Sequence, residues 1–234
     1  MRHLERSAAE LLKMDLRIGG GDWTPTPHGK FMAEVLARNN LVEGKEVLEL
    51  GGGTGNHTII MVRQGAQRIV TTEILPERLE TTRRNVERNC PDARNVEYRV
   101  ADWLRTPGAF DLVVTNPPFA RSGKRNRRYF IDSLILDAHR RLRPDGLIVF
   151  VQSSMADLPK TRAWLEENGY AHEVLGRTEG PFRDSYFEDE TFMEEVHRAP
   201  DGFKIRDGVY TETLYVVKAR LERWEAPGSA HLPS

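Results

Sequence analysis

Asn116-Pro117-Pro118-Phe119 carries the most chemistry per residue in this chain. Two prolines fix the backbone and remove two donors, so the carbonyl groups there can only accept hydrogen bonds. The Asn116 amide oxygen is a further acceptor. Acceptors converging on one point suit an –NH₂ group, and Phe119 offers a flat face to a planar or cationic partner. Holding both N–H bonds turns the nitrogen lone pair toward an electrophile, which is catalysis by positioning. The other reading is an Asn-Pro turn that merely ends a strand, as in any fold. Its place directly after the apolar run 110–115 favours chemistry.

A second constellation lies upstream. Glu49-Leu50-Gly51-Gly52-Gly53-Thr54-Gly55 sits where a strand should end and a helix begin. Glycines there permit positive φ and let backbone N–H groups approach a ligand closely. Glu73 follows at the end of the next strand, where a carboxylate can accept hydrogen bonds from both ribose hydroxyls of a nucleoside. The dinucleotide pattern G-x-G-x-x-G fails at Asn56 counted from Gly51, and at Thr58 counted from Gly53; no phosphate-cradling P-loop exists either. A glycine turn serving only the crossover, with a solvated acid, is the plainer alternative. Asp102, after the third strand and beside Trp103, could accept the exocyclic amine of an adenine or simply cap a helix.

These residues need a scaffold that brings strand ends together. Short apolar runs at 47–50, 69–72, 96–100, 110–115 and 147–151 alternate with amphipathic stretches at 56–61, 76–89 and 129–142. A further helix is expected near 159–168, a strand near 171–175 and a last β-branched strand at 211–221. Strand–helix alternation of this kind means an α/β fold: a mostly parallel sheet covered on both faces. Before it, the apolar spacing of Ala8, Leu11, Leu12, Leu16 and Ile18 predicts a helix over 5–18, and a second helix runs from Gly29 to Asn39. Residues 1–40 therefore read as an N-terminal helical extension, and 41–225 as the main domain. Within it, 176–210 is expected to be an insertion or lid, and 226–234 a frayed tail.

In this order, Glu49 to Gly55, Glu73, Asp102 and the N-P-P-F tetrad resemble the class I S-adenosylmethionine-dependent methyltransferases. The tetrad is similar to that of amino-methyltransferases acting on adenine N6 or on glutamine amides, such as the HemK family. The resemblance covers roughly residues 40–175 plus the last strand. It implies a Rossmann-like sheet of seven strands with the last antiparallel, and S-adenosylmethionine as cofactor. It also implies that Gly51, Gly53 and Gly55 line the methionine part, that Glu73 takes the ribose and that Asp102 takes the adenine. Glu49, Trp103 and Asn116 join the cofactor contacts, with Asn116, Pro117 and Phe119 holding the acceptor nitrogen. By the resemblance 1–40 is the cofactor cover and 41–225 the catalytic domain, because related enzymes fold an N-terminal segment over the cofactor. His28 could then contact the methionine carboxylate, although a lone His near a helix start is more often a cap or surface residue. A HemK-type helical domain is not expected, since only about 45 residues precede the core.

Composition bounds the partners. Lys plus Arg total 34 against 35 Asp plus Glu, a formal net charge of −1, so a bulk nucleic-acid partner is not expected. The basic run 121–128 is the exception, either a phosphate or carboxylate contact or a solvated loop. One cysteine, Cys90, fits a reducing cytosol, and no run approaches a membrane span or a signal peptide, so a cytoplasmic enzyme is expected. No histidine pair has metal-ligand spacing. Ser153 and Ser154 close the fifth strand at the ligand edge, His57 reads as packing, and Phe182, Tyr186, Phe187 and Phe192 form either a lid or a small packed cluster. The expected reaction is in-line methyl transfer to an amine or amide nitrogen of a small molecule or peptide. The alternatives are an adenine-N6 nucleic-acid methyltransferase, a non-catalytic nucleoside-binding module, or cyclisation of the cofactor's own amino acid part to azetidine-2-carboxylate with release of methylthioadenosine.

Overall fold

A computed structural model describes residues 7–19, 25–118, 128–188, 190–198 and 202–222. Phe119, most of the basic run and the C-terminal tail therefore lie outside the described residues. Among the described residues, eight strands form one sheet: β1 (Glu46–Leu50), β2 (Arg68–Glu73), β3 (Val96–Val100), β4 (Phe110–Thr115), β5 (Leu142–Ser153), β6 (Tyr170–Pro181), β7 (Lys204–Arg206) and β8 (Val209–Leu221). Their order is β3-β2-β1-β4-β5-β8-β6, with β7 paired to β8 alone. Strands β1 to β5 pair in parallel, while β8 runs antiparallel to β5, β6 and β7. The expected seven-stranded sheet is present, and β7 adds a short hairpin strand that its Lys204-Ile205-Arg206 sequence does not announce.

Alternation along the strands builds two apolar layers. Leu48, Leu50, Val113, Ile148 and Phe150 face one side, against α5 (Tyr129–Asp137) and α6 (Leu158–Glu167). Val47, Leu112, Val114, Val149 and Val151 face the other, against α1 (Ala8–Leu12), α2 (Pro27–Arg38) and α3 (Asn56–Arg63). Helix α4 (Pro76–Asn89) starts at the proline and matches the expected span. The late segment adds α7 (Asp184–Phe187) and α8 (Glu190–His197). Phe182, Tyr186 and Phe192 bury with Met155 and Val196 in a small cluster of their own, leaving Phe187 exposed. No helix among the described residues is long and apolar enough to cross a membrane.

Several boundaries differ from the expected ones. Helix α1 stops at Leu12, where a helix over 5–18 was expected, because the following backbone takes its partners from α4. Asn85 Oδ1 accepts from the Arg17 N–H at 2.8 Å, and its Nδ2 donates to the Arg17 carbonyl at 3.0 Å; Asn89 treats Asp15 alike at 2.9 and 2.8 Å. Two amides one turn apart thus offer an extended strap the bonds a helix would otherwise supply. The helix expected over 129–142 ends at Asp137, and one 3₁₀ turn (Ala138–Arg141) leads into β5. The Pro144-Asp145-Gly146 stop is a bulge within β5, with Asp145 at φ 60° and the register shifting between Phe110 and Leu112. Strand β6 continues past the expected end at 175 to Pro181, paired with β8 on both sides of a register shift between Val174 and Gly176.

Asn85 is 1% exposed and also donates to the Thr54 carbonyl at 3.0 Å, tying the strap to the glycine turn. Asn85→Ala should therefore cost about 2 kcal/mol of unfolding free energy, since one buried carbonyl and two strap groups lose their partner. Urea denaturation checks this, and a loss below about 0.5 kcal/mol would mean that the strap is held by packing alone.

Candidate active site

The register aligns the chemistry. Leu50 pairs with Thr72 of β2 and Thr115 of β4, so Gly51, Glu73 and Asn116 leave the sheet side by side at its carboxyl edge. The Gly51 and Gly52 N–H groups both donate to the Thr72 carbonyl at 3.0 Å, which turns the chain back toward α3. Gly51, Gly53 and Gly55 have φ of 79°, 55° and 82°, a region that side chains disfavour. Gly52 is needed for space instead. A Cβ there would lie 2.4 Å from Thr71 Oγ1 and 2.9 Å from Thr82 Cγ2. A Cβ on Gly51 or Gly53 would meet nothing within 4 Å, so the turn is open where a ligand would lie.

Glu73 accepts from the Gly53 N–H through Oε1 at 2.7 Å. Burial raises its pKa, with the Gly53 amide acting in the opposite direction. Ile74 beside it is 57% exposed, and Val100, the β3 partner of Glu73, is 53% exposed. Two large apolar side chains left in water at a sheet edge make a surface suited to a planar group. Asp102 follows on that edge with its side chain 54% exposed and 3.7 Å from Arg105 Nε. It heads a 3₁₀ turn without capping it through its side chain. Trp103 sits at φ 47°, a strained backbone for so bulky a residue, against Phe130 at 4.9 Å.

Glu49 lies beneath the turn, fully buried. One carboxylate oxygen accepts from the Thr58 hydroxyl, and the other faces His57 Nδ1 at 3.7 Å. His57 Nε2 donates to the Gly29 carbonyl in α2 at 2.9 Å, which turns the Nδ1 lone pair toward Glu49. Burial pushes the Glu49 carboxyl up to about 7 against the pull of Thr58 and Thr71, and pushes the His57 imidazole down. At 3.7 Å the carboxyl and the imidazole face each other without a hydrogen bond, and the Thr58 hydroxyl and the Gly29 carbonyl are what hold them.

Gly29 is the residue that sequence reasoning passed over. Its N–H donates to the N-cap Thr26 Oγ1 at 3.1 Å, and a Cβ on it would lie 3.2 Å from Asn116 Nδ2. Its absent side chain lets α2 settle against the half-buried Asn116, with Pro117 buried and Pro118 exposed beyond it. His28 is 4% exposed, so it is neither a cap nor a surface residue; its Nε2 faces Glu212 Oε2 of β8 at 3.5 Å. Ser154 Oγ donates to the Gly202 carbonyl and accepts from the Thr213 N–H, each at 2.9 Å, while Ser153 caps the next turn. Arg128 closes the basic run as a buried staple, bonded to Asp157, Thr161 and Asp132. A glycine two residues after Pro27 at a helix start was the available signal for Gly29. Nothing in the linear sequence pairs His28 with Glu212.

The sequence matches the family model of the methyltransferase small domain over residues 28–180. It is 28% identical over 168 residues to a candidate protein N5-glutamine methyltransferase of Methanocaldococcus jannaschii, covering 64% of this chain and 84% of that one. Among solved structures, a candidate RNA methyltransferase from Pyrococcus horikoshii superposes with a TM-score of 0.60 at 20% identity, covering 94% of this chain and 99% of that one. The 16S rRNA N2 G1207 methyltransferase of T. thermophilus, solved with AdoMet and guanosine, superposes with a TM-score of 0.54 at 23% identity, covering 84% of this chain and 43% of that one.

Because the folded-state pKa of Glu49 lies above the ordinary carboxylate value of 4.5, the fold holds an extra proton between that value and about 7. The stability it contributes is complete below the lower value and is lost as pH rises through the upper one. Glu49→Gln keeps the shape and removes the titration. The stability of wild type minus that of the variant should fall by about 3 kcal/mol from pH 4.5 to above 7. His57 is present in both proteins and cancels. Parallel denaturation curves across that range would show that the carboxyl is not the titrating group.

Proposed function

Since this chain belongs to the methyltransferase small domain family, we propose that it transfers the sulfonium methyl of S-adenosylmethionine to an amine or amide nitrogen of a small molecule or peptide. The observation that carries the nitrogen assignment is Asn116-Pro117-Pro118 leaving the sheet beside the open glycine turn, with Gly29 packed against the Asn116 amide. The cofactor fits the edge: open backbone at Gly51 and Gly53, a carboxylate at Glu73, and exposed apolar surface at Ile74 and Val100. Bound there, it supplies a methyl carbon made electrophilic by the sulfonium.

The chain's own residues do the rest. Glu73 keeps one oxygen on the Gly53 amide and offers the other to ribose hydroxyls. Asp102 takes the adenine amine beside Trp103. The Asn116 amide oxygen and the Pro117 carbonyl accept the acceptor's N–H bonds and aim its lone pair. Neither is a base, so they orient the nitrogen without removing its proton. A base nitrogen of RNA is the second reading, favoured by the RNA acceptors named for proteins of similar fold. The balanced net charge of the chain counts against it.

Calorimetry with S-adenosylmethionine and S-adenosylhomocysteine should give binding that Glu73→Ala weakens by about 1.5–3 kcal/mol. Absence of heat with both ligands removes the cofactor assignment. Incubation with methyl-labelled cofactor and glutamine, lysine and arginine peptides or ribosomal RNA identifies the acceptor class. Methylthioadenosine from the cofactor alone would instead indicate cyclisation. On whichever acceptor is labelled, Asn116→Ala should lower kcat by about 10²-fold or more. Cofactor affinity should change by less than about 1 kcal/mol, because the residue acts on the acceptor side. A full-rate variant that is merely less stable would leave Asn116 as a turn residue.

A further inference from the structure

Glu212 is a carboxylate taken out of water without close donors. Its side chain is 3% exposed. The Tyr186 hydroxyl stands 3.4 Å from Oε1 and His28 Nε2 stands 3.5 Å from Oε2, which has no hydrogen bond. Charge-assisted hydrogen bonds to carboxylates close to about 2.7–2.9 Å. A buried carboxylate costs several kcal/mol unless donors close on it. Three polar groups from α2, α7 and β8 therefore meet at long contacts, and Glu212 Oε2 is an acceptor that an incoming N–H group would complete.

Sheet order places this ring. Because β8 is antiparallel, its early residues lie at the carboxyl edge of the parallel strands, where Leu214 pairs with Ser153. Strand β8 is separated from β4, which carries Asn116, by β5 alone, a lateral offset of about 10 Å. From β1 and its glycine turn the offset is about 14 Å, on the side away from Glu73. His28 spans the interval, since it precedes Gly29, which packs on Asn116.

We propose that Glu212 recognises the acceptor by receiving a positively charged N–H group, ammonium or guanidinium, carried beside the nitrogen to be methylated. This rests on the nitrogen-methylation reading above and narrows it to a cationic acceptor, a basic peptide or small polyamine. Polyanionic RNA would meet a repelling charge there. The cofactor's own α-ammonium is the other source of the same chemistry, and the experiment separates the two.

Protein saturated with S-adenosylhomocysteine is titrated with n-butylamine, as its ammonium at pH 7, and with neutral 1-pentanol of similar shape, by ligand-observed NMR. Wild type should bind butylammonium and discriminate against pentanol. Glu212→Gln should weaken that binding by about tenfold or more, as expected for losing a bond to a charged group. Tyr186→Phe, which leaves the carboxylate in place, should retain it. Affinity for S-adenosylhomocysteine should stay within about twofold in Glu212→Gln, since a real contact there would cost more. Equal binding of ammonium and alcohol by wild type overturns the proposal without any variant. So does unchanged ammonium binding in Glu212→Gln, or RNA methylated at the wild-type rate by that variant. A tenfold loss of S-adenosylhomocysteine affinity assigns Glu212 to the cofactor instead. No S-adenosylhomocysteine binding by wild type fells the cofactor reading itself; S-adenosylhomocysteine binding without Glu212-dependent ammonium binding fells this proposal alone.

Discussion

The Gly29 carbonyl, held by His57 Nε2 at 2.9 Å, is the bond on which the ligand edge depends. It fixes the first turn of α2 to α3, and His57 in turn faces Glu49 of β1. Sliding α2 away would orphan a buried carbonyl and a buried imidazole together, at about 1–3 kcal/mol each. The helix is keyed at a second point as well. A Cβ on Gly176 would stand 2.6 Å from Val35 Cγ2, so β6 needs a bare backbone there, next to its register shift. Helix α2 is thus seated by two glycines, one in itself against Asn116 and one in the sheet against Val35.

That seating explains why the acids on this side of the sheet behave differently. Glu49 is deep, its neighbours are a hydroxyl and a neutral imidazole, and it keeps its proton to about pH 7. It is a hydrogen-bonding element of the scaffold. Glu73 keeps a backbone N–H on one oxygen at the rim of the turn, which suits a group that must still reach outward. The glycine turn therefore has an acid below it and another beside it, separated in role by burial and not by residue type.

What the linear sequence discloses follows from range. Strands β1 to β4 and helix α4 are legible because apolar periodicity is local, and Pro76 marks the first residue of α4. The turn, Glu73 and the Asn116 tetrad are legible because each is a short run placed by the strand before it. The N-terminal helix is over-read because Ala8, Leu11 and Leu12 pack on the core with helical spacing while the next residues are claimed by Asn85 and Asn89, some 70 positions away. Gly29, Gly52 and Glu212 escape for the same reason: their meaning lies in Asn116, Thr71 and His28, which only the fold brings near. Trp103 carries a left-handed backbone that no propensity scale assigns to tryptophan.

The sheet order also divides the labour at the edge. Strands β1, β2 and β3 present the glycine turn, Glu73, Ile74 and Asp102, residues local enough in sequence to form motifs. Strand β4 contributes Asn116 at the boundary. Beyond it, β5 and β8 present Ser153, Ser154 and Glu212, built up by a late segment whose cluster of Phe182, Tyr186 and Phe192 packs on Met155. On the first side a methyl donor can be met by backbone and a few short motifs. The second side is assembled from distant parts, two short helices and a hairpin, that share no periodicity and can change without touching the turn. Chemistry is accordingly readable from a stretch of sequence, while the buried contacts across α2, α7 and β8 are not.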